Sequence, residues 1–279
     1  MILVSGATGT IGSEVTRLLS GRAEAVRVMT RNPYTATFPD GIEIVRGDFD
    51  ESDSLRASAE GVTTVFLLTA PGDWVPRHDK AMLDAAVAAG VTKVVKLSAI
   101  GADTTKGSWH LPGEEALQAG GLAWTILRPA GFMSNALGWA QAIRAGQPVA
   151  NRTGTGAQSP IDPRDVAEVA VKALLSAEHD GRIYTLTGPE CLSVPDQVAQ
   201  LADALGHAVE TIDIDIEEAR HQMLDAGIHP SVVAVAVAGQ EYVRAGHAAV
   251  LTGDAERVLN RPPRTFRDWA HDHFAAFRS

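Results

Sequence analysis

The chain alternates between short apolar runs and longer segments in which apolar residues recur at helical spacing. The run Ile2–Val4 is wholly apolar, which is typical of a parallel strand buried on both faces. The segment after it places Val15, Leu18 and Leu19 on one face of a helix. Further strands are predicted at 25–29, 42–45, 65–68, 93–97 and 123–127. This alternation predicts an α/β fold with a Rossmann-type doubly wound parallel sheet.

The alternation stops in the last quarter of the chain. A strand is predicted at 211–214, and mostly helical patterns follow it. We therefore predict a Rossmann-type domain over 1–208 and a smaller, mainly helical lid over 209–279, with 132–150 contributing to the lid. The apolar stretch 232–238 is too short to span a membrane and is predicted to pack as a core helix.

Three glycines follow the first strand with the spacing Gly-x-x-Gly-x-x-Gly, at Gly6, Gly9 and Gly12. The first permits a tight turn, the second lets the backbone approach a pyrophosphate, and the third removes a side chain where the helix lies close to the sheet. Thr10 is predicted to cap this helix, whose N-terminal amides attract an anion. The spacing is not the commonest dinucleotide pattern, but strand, glycines and helix together predict dinucleotide binding.

The ends of the next strands carry side chains suited to the rest of a nucleotide. Arg31 lies where NAD-preferring sites place a carboxylate, and a guanidinium there can pair with the 2′-phosphate of NADP, so NADP(H) is the predicted cofactor. Asp48 is as compatible with accepting a hydrogen bond from adenine as with capping the next helix, and Phe49 is predicted to pack nearby. The small residues Thr69 and Ala70 are predicted to line the cleft.

Two residues are candidates for chemistry. Ser98 ends the fifth strand, at the edge of the sheet where such folds carry their reactions. His110 follows in a loop, and imidazole can donate a proton near neutral pH, although a loop histidine bonded to the backbone explains it as well. Candidate pocket walls, for which ordinary core packing is the competing interpretation, are Trp109, Phe132, Met133 and Trp139.

Composition narrows the possible partners. Hydrophobic residues make up 45% of the chain and charged residues 21%, as in a globular protein. The net charge of −10, without a basic run, disfavours nucleic-acid binding. The single Cys191 excludes an internal disulfide, and no secretory signal or membrane span is visible, so we expect a cytoplasmic protein without a membrane partner. His271 and His273 point away from each other on a helix, and no metal is predicted.

The chain resembles the short-chain dehydrogenase/reductase superfamily and, within it, the atypical NmrA-like group that includes quinone reductases and triphenylmethane reductases. The stretches that carry the resemblance are SGATGTIG at 5–12, LSAIGA at 97–102, LRPAGFM at 127–133 and RPPRTF at 261–266. The resemblance implies that Ile11 contacts the cofactor together with Gly6, Gly9, Thr10 and Arg31. The backbone that it implies to face the nicotinamide is that of Pro129, Ala130, Gly131 and Phe132.

The resemblance breaks at the catalytic residues. Typical members have a tyrosine about a dozen residues after the serine and a lysine four beyond it, where this chain has Trp109–His110 and Glu114. Reduction of a simple ketone gives a strongly basic alkoxide, whereas a quinone or conjugated enone gives a delocalised anion that needs less help from an acid. We therefore predict an NADPH-dependent reductase for a quinone, a conjugated carbonyl or a polycyclic aromatic ketone, in which Ser98 or His110 offers a hydrogen bond.

Two other functions stay open at this point. One is a regulator that senses NADP(H) and binds a protein partner without catalysis, which the missing tyrosine supports. The other is a sugar epimerase or dehydratase, which depends on the base that is missing here. The sequence assigns no natural substrate and no oligomeric state.

Overall fold

The computed structural model describes residues 1–104 and 108–278, which divide into two compact units. The first comprises Met1–Pro129 and Pro163–Leu186, and the second comprises Ala130–Asp162 and Thr187–Ser279. The domain boundary expected at residue 208 lies inside the second unit. The segment 132–150, expected to contribute to the lid, lies wholly within that unit.

The strands are β1 Ile2–Val4, β2 Val26–Thr30, β3 Glu43–Arg46, β4 Thr64–Leu67, β5 Lys93–Leu97, β6 Ala123–Pro129, β7 Val149–Asn151, β8 Ala157–Gln158, β9 Arg182–Leu186, β10 Leu192–Ser193 and β11 Thr211–Asp213. The α-helices are α1 Thr10–Ser20, α2 Ser52–Ala59, α3 Val75–Ala88, α4 Leu111–Ala119, α5 Ala140–Arg144, α6 Pro163–Leu175, α7 Val194–Leu205, α8 Ile216–Asp225, α9 Pro230–Arg244, α10 Asp254–Leu259 and α11 Phe266–His273. Short 3₁₀ helices cover Met133–Trp139, Ala177–His179 and Phe274–Phe277.

The first unit is built on a seven-stranded sheet in the order β3-β2-β1-β4-β5-β6-β9, and every pair of neighbours is parallel. The predicted doubly wound Rossmann-type sheet is confirmed. Strands β1 and β5 have the predicted bounds, whereas β2, β3 and β4 are each shifted by one residue. The sequence pattern thus located the central strands, whose two faces are buried, and to within one residue the edge strand β3, most of whose residues are exposed.

Helices cover both faces of this sheet. The chain moves from β1 to β2 in one direction and from β4 to β5 in the other, so right-handed crossovers place α1 and α3 on opposite faces. Helices α1 and α6 pack against each other, as do α2 with α3 and α3 with α4. The core on the α2–α4 side joins Leu55, Met82 and Leu117 to sheet residues such as Leu3 and Val94, all of them buried. This packing fixes the carboxyl ends of the strands, where the site lies.

The second unit is mainly helical, with two small sheets. Strand β11 pairs with β7 in parallel, and β10 pairs with β8 antiparallel. Helices α7 and α11 pack together over a core that includes Leu201, Phe266 and Trp269. Met133 is 1% exposed in the same core, which favours the core interpretation of that side chain.

Helices α8 and α9 pack on each other through a separate small cluster of buried residues, Met223, Val233 and Val237. The apolar stretch 232–238 lies within α9 and, as predicted, is helical. Only one of its faces is buried, because Val235 is 41% exposed. In the part of the chain that the structure describes, every helix is too short or too polar to cross a bilayer.

Candidate functional site

The loop between β1 and α1 forms a cradle that depends on two glycines. Gly6 has a φ of +62°, and a Cβ there would lie 2.5 Å from Cδ2 of Leu68. A Cβ on Gly12 would lie 2.2 Å from the carbonyl oxygen of Gly6 and 2.9 Å from Cα of Ala7. The close approach at Gly12 is therefore to the loop backbone, where we had expected an approach to the sheet. The cradle exists only because both positions lack a side chain.

Gly9 is the N-cap of α1, and the prediction that Thr10 caps the helix is wrong. Gly9 has the extended backbone of an N-cap (φ −88°, ψ 174°), so Thr10 is already the first helical residue. No side chain of the described chain caps α1, which leaves its first-turn amides available to a ligand. Thr10 is exposed, whereas Ile11 is 2% exposed and packs into the core. Only the backbone of Ile11 is therefore available to a cofactor.

A pocket of about 700 Å³ opens beside this cradle in the first unit. The predicted site residues among its walls are Gly6, Arg31, Asp48, Phe49 and Ala70. Wall residues that were not identified from the sequence include Thr8, Asn32, Trp74, Arg77 and His78. The pocket thus brings together the carboxyl ends of β1, β2, β3 and β4, as expected for a nucleotide site in this fold.

Aromatic rings and charged groups from α3 and from the loop after β3 form one side of the pocket. The ring of His78 stacks on Phe49, with centroids 5.1 Å apart and planes 11° apart. His78 Nε2 lies 3.1 Å from Oδ1 of Asp50, and Arg77 also pairs with that carboxylate. The hydrogen bond from Arg77 and then that of His78 lower the pKa of Asp50. This side of the pocket is a flat ring surface next to a carboxylate that is paired with Arg77, and such a surface suits a purine.

Asp48 does not cap α2, because the N-cap of that helix is Glu51. Its Oδ1 instead accepts a hydrogen bond from the amide of Asp50 at 3.0 Å, which closes a tight turn. The capping interpretation is therefore wrong. Asp48 still lines the pocket, so its contact with adenine stays a prediction.

Arg31 is an exposed pocket residue whose guanidinium is not paired with an acidic side chain in the described part of the chain. Its guanidinium has no hydrogen bond or ion pair with any residue in 1–104 or 108–278. Arg46, at the end of the neighbouring strand, is by contrast held by Glu51 through two hydrogen bonds of 2.7 Å. Arg31 is therefore available to an anion at this end of the pocket.

A buried ion pair ties α3 to the sheet beneath the strand ends. Lys96 Nζ lies 2.5 Å from Oδ2 of Asp79, and both side chains are fully buried. The hydroxyl of Thr69 donates to Oδ1 of Asp79 at 2.8 Å, so it is turned toward the ion pair while Ala70 lines the pocket. A Cβ on Gly113 would lie 2.2 Å from Asp79 Oδ2, which shows how closely α4 approaches the pair.

Ser98 lies at the end of β5 in a second buried network. It is 4% exposed, and its hydroxyl donates to Oε1 of Glu114, which is 1% exposed. Both oxygens of Glu114 also accept hydrogen bonds from Arg128 of β6. A hydrogen bond from Ser98 to a substrate would therefore require the hydroxyl to leave Glu114.

His110 precedes α4, and its side chain is largely buried. Its Nδ1 has no hydrogen-bond partner in the described chain. Burial, and then the charge of Lys96, lower the pKa of His110 to about 3. The imidazole is consequently neutral at physiological pH, where it can donate a hydrogen bond but has no extra proton to transfer.

The buried His110 predicts a dependence of stability on pH. Between its ordinary pKa of 6.5 and its folded pKa of about 3, the unfolded chain binds a proton that the folded chain does not. His110 thus causes the free energy of unfolding to fall as the pH drops through this window, by up to about 1.4 kcal/mol per pH unit. We expect His110→Phe to lose less stability than the wild type between pH 7 and pH 4.5, measured by urea unfolding.

The control for this experiment is His207→Gln, because His207 is exposed. It should keep the pH dependence of the wild type. If His110→Phe showed the same pH dependence as the wild type, the pKa of His110 would not be lowered by folding.

The segment expected to face the nicotinamide spans the end of β6 and the start of the second unit. Pro129 ends β6, and Phe132 forms an isolated parallel bridge with Ile161 inside the second unit. Within the described residues there is no group of three or more His, Cys, Asp or Glu side chains placed to hold a metal ion.

Proteins of known function and structure resemble this chain in sequence and in fold. Residues 6–177 match the model of a family described as NAD(P)H-binding. The chain is 36% identical to a (4-alkanoyl-5-oxo-2,5-dihydrofuran-3-yl)methyl phosphate reductase of Streptomyces griseus and 36% identical to an NAD(P)H azoreductase of Xenophilus azovorans, over 99% of each chain in both cases. It also shares the fold of the Escherichia coli NADPH-dependent quinone oxidoreductase solved with NADPH, with a TM-score of 0.87, 22% identity and coverage of 98% of this chain and 100% of the other.

Proposed function

The chain belongs to the NAD(P)H-binding family of atypical short-chain dehydrogenase/reductases, the NmrA-like group, and on that premise we propose that it transfers hydride from NADPH to a quinone, a conjugated carbonyl or a polycyclic aromatic ketone. The observation that carries the choice of acceptor is the ion pair between Glu114 and Arg128, because Glu114 stands at the sequence spacing where the resemblance predicts a lysine. An acceptor whose reduced form is a delocalised anion needs no strong acid there.

The residues of the cradle and pocket fit an NADP(H) molecule. The amides around Gly9, Thr10 and Ile11 would hold the pyrophosphate at the N-terminus of α1. Arg31 would pair with the 2′-phosphate, and Asp48 would bond to adenine. When bound, the cofactor supplies the hydride. The chain's own task is to hold both reactants in contact and to exclude water, which accounts for large rate effects without an acid.

The remaining predicted positions concern the reacting end of the cofactor. We propose that the backbone from Pro129 to Phe132 faces the nicotinamide and that Thr69 and Ala70 line the cofactor cleft. His110 would donate a hydrogen bond from its neutral imidazole to the acceptor oxygen, as its low pKa permits. The partner is then a small molecule that carries an extended π-system.

The proposal is tested with a panel of quinones, conjugated enones, polycyclic aromatic ketones and simple aliphatic ketones. We expect NADPH consumption with the delocalised acceptors and little with the aliphatic ketones, followed by NADPH absorbance and by identification of the reduced product. Tight NADPH binding without turnover on any member would contradict the proposal. That result would favour the NADP(H)-sensing regulator, for which a protein partner retained only in the presence of NADP(H) is the expected sign.

Arg31→Ala is expected to weaken NADPH binding by about 10- to 100-fold while NADH binding changes little, because about 1.5–3 kcal/mol is typical of a hydrogen bond to a charged group. The measurement is the dissociation constant of each dinucleotide, from protein fluorescence or calorimetry.

Arg46→Ala is the matched control, because this arginine is committed to Glu51. It should preserve the preference for NADPH. Equal affinity of the wild type for NADPH and NADH would remove the role given to Arg31.

A further inference from the structure

The Ser98 hydroxyl is directed into the protein. Its proton is donated to Oε1 of Glu114, and the serine is only 4% exposed. A hydroxyl has one proton, so a serine that donates to a buried carboxylate has none left for another acceptor. A serine that donates a proton to a substrate would need its hydroxyl directed toward the cleft, whereas the hydroxyl of Ser98 is directed toward Glu114.

Arg128 pairs with the carboxylate of Glu114, which can then accept hydrogen bonds but not donate them. Nη2 of Arg128 lies 2.5 Å from Oε2 of Glu114, and Nε lies 3.1 Å from Oε1. A carboxylate in such a two-point contact with a guanidinium has only acceptor sites, so the Ser98 hydroxyl must be the donor. The hydrogen bond to Glu114, and that to Asp103, raise the pKa of Arg128. The direction of the Ser98 bond is therefore fixed by Arg128.

The same arginine ties the loop after β5 to β6. Its Nη1 lies 2.6 Å from Oδ2 of Asp103 in that loop. Two backbone hydrogen bonds join the same segments. The amide of Ser98 donates to the carbonyl oxygen of Leu127 at 2.7 Å, and the amide of Ile100 donates to that of Pro129 at 2.9 Å. We call Ser98, Glu114 and Arg128 the strand-end lock.

The strand-end lock lies on the side of the sheet that the nicotinamide half would occupy. The pocket of about 700 Å³, which would hold the adenosine half, has Arg31 and Asp48 after the ends of β2 and β3. From there the sheet order runs through β1 and β4 to β5 and β6. A dinucleotide bound along the carboxyl edge with its adenosine at β2 and β3 extends its other half toward β5.

We propose that Glu114 and Arg128 are positioning residues, which hold the ends of β5 and β6 in place for the nicotinamide half through Ser98, and that Ser98 supplies no proton to the acceptor. The inference about the reaction rests on the proposed function. The acceptor receives the hydride with its electron pair, the cofactor is released in its oxidised form, and the reduced anion takes its proton from water after the site has opened to solvent.

Binding measurements test the lock without any turnover. The variants are Ser98→Ala, Glu114→Gln and Arg128→Met, and the probes are NADP⁺ and adenosine 2′,5′-bisphosphate, which lacks the nicotinamide half. We expect each variant to raise the dissociation constant of NADP⁺ by about tenfold and that of the bisphosphate by less than about twofold, because only one half of the cofactor loses its support. Arg128→Lys should restore part of the loss.

Arg46→Met is the matched control, because it breaks a comparable two-point arginine–glutamate pair on the exposed surface of the same unit. It should change neither dissociation constant. The single variants should also be non-additive, so that Ser98→Ala combined with Glu114→Gln is no worse than Glu114→Gln alone.

Turnover separates positioning from proton donation. A positioning defect lowers kcat by the same factor for every acceptor, whereas loss of a proton donor lowers it most for the acceptor with the most basic product anion. We expect equal factors in Ser98→Ala for a quinone and for an aromatic ketone.

Two outcomes would overturn the inference. One is Ser98→Ala with unchanged NADP⁺ binding and a loss of kcat that grows with the basicity of the product. The other is a variant that weakens NADP⁺ and the bisphosphate equally, which would indicate a general loss of structure. Ser98→Ala alone decides the matter if the other variants do not fold. A wild type that reduces no acceptor would contradict the proposed function, while the ratio of the two dissociation constants would still test the lock.

Discussion

Gly12→Ala is expected to weaken NADPH binding by at least about 100-fold, because the change displaces the backbone that forms the cradle. The new Cβ would lie 2.2 Å from the carbonyl oxygen of Gly6, and it can be accommodated only if α1 or the loop moves. Overpacking of this kind also lowers the free energy of unfolding, by about 1–3 kcal/mol. Both quantities are measurable, by titration with NADPH and by urea unfolding.

Gly21→Ala is the matched control. Gly21 follows the C-terminus of the same helix, its φ is −86°, and a Cβ there would meet no heavy atom within 4 Å. This variant should bind NADPH as the wild type does. If Gly12→Ala also bound normally, the cradle would not be the site of the pyrophosphate.

The second large effect is expected at the buried ion pair. Lys96→Met leaves the carboxylate of Asp79 buried with a hydrogen bond from the hydroxyl of Thr69, and loss of one member of such a pair destabilises a protein by about 3–5 kcal/mol. The measurement is the free energy of unfolding in urea at neutral pH.

Two comparisons make this result specific. Lys80→Met removes an exposed pair with Asp84 on the same helix as Asp79 and should cost at most about 0.5 kcal/mol. The double variant Lys96→Met/Asp79→Leu should recover most of the loss, because it removes the stranded charge as well. A loss in Lys96→Met no larger than that of Lys80→Met would mean that Asp79 is neutralised by other means.

Local patterns in the sequence, namely apolar runs and the spacing of glycines, predicted the sheet and the cradle. Strands buried on both faces are often continuous apolar runs, and β1 is one, so it was located to the residue. β5 was also located to the residue, although its sequence KVVKL contains two buried lysines. Gly6 and Gly12 stood out because only glycine tolerates the conformation of the first and the close backbone approach of the second. The place of Arg31 in the pocket was predictable because its position after β2 has a known relation to the ribose, and its contact with the 2′-phosphate stays a prediction.

Features that depend on distant neighbours were not predictable in this way. Glu114 receives its hydrogen bonds from Ser98, 16 residues before it, and from Arg128, 14 residues after it, so no local pattern marks the strand-end lock. The cap of α1 was misassigned because threonine is a common N-cap, whereas the backbone angles of Gly9 decide the matter here. Trp74 and His78 of the pocket lie in a segment without a motif, and the one available signal was Pro76 in the first turn of the helix that follows the loop after β4.

The division of the chain into interleaved units has a consequence for its synthesis. The edge strand β9 and the helix α6 belong to the first unit but follow Ala130–Asp162 of the second along the chain. The nucleotide-binding sheet therefore cannot be completed until residue 186 has left the ribosome, and β6 waits with an unpaired edge until then. A truncated chain that stops at residue 129 or 162 would keep the glycine cradle and still lack one edge of its sheet, so neither fragment is expected to fold as an independent nucleotide-binding domain.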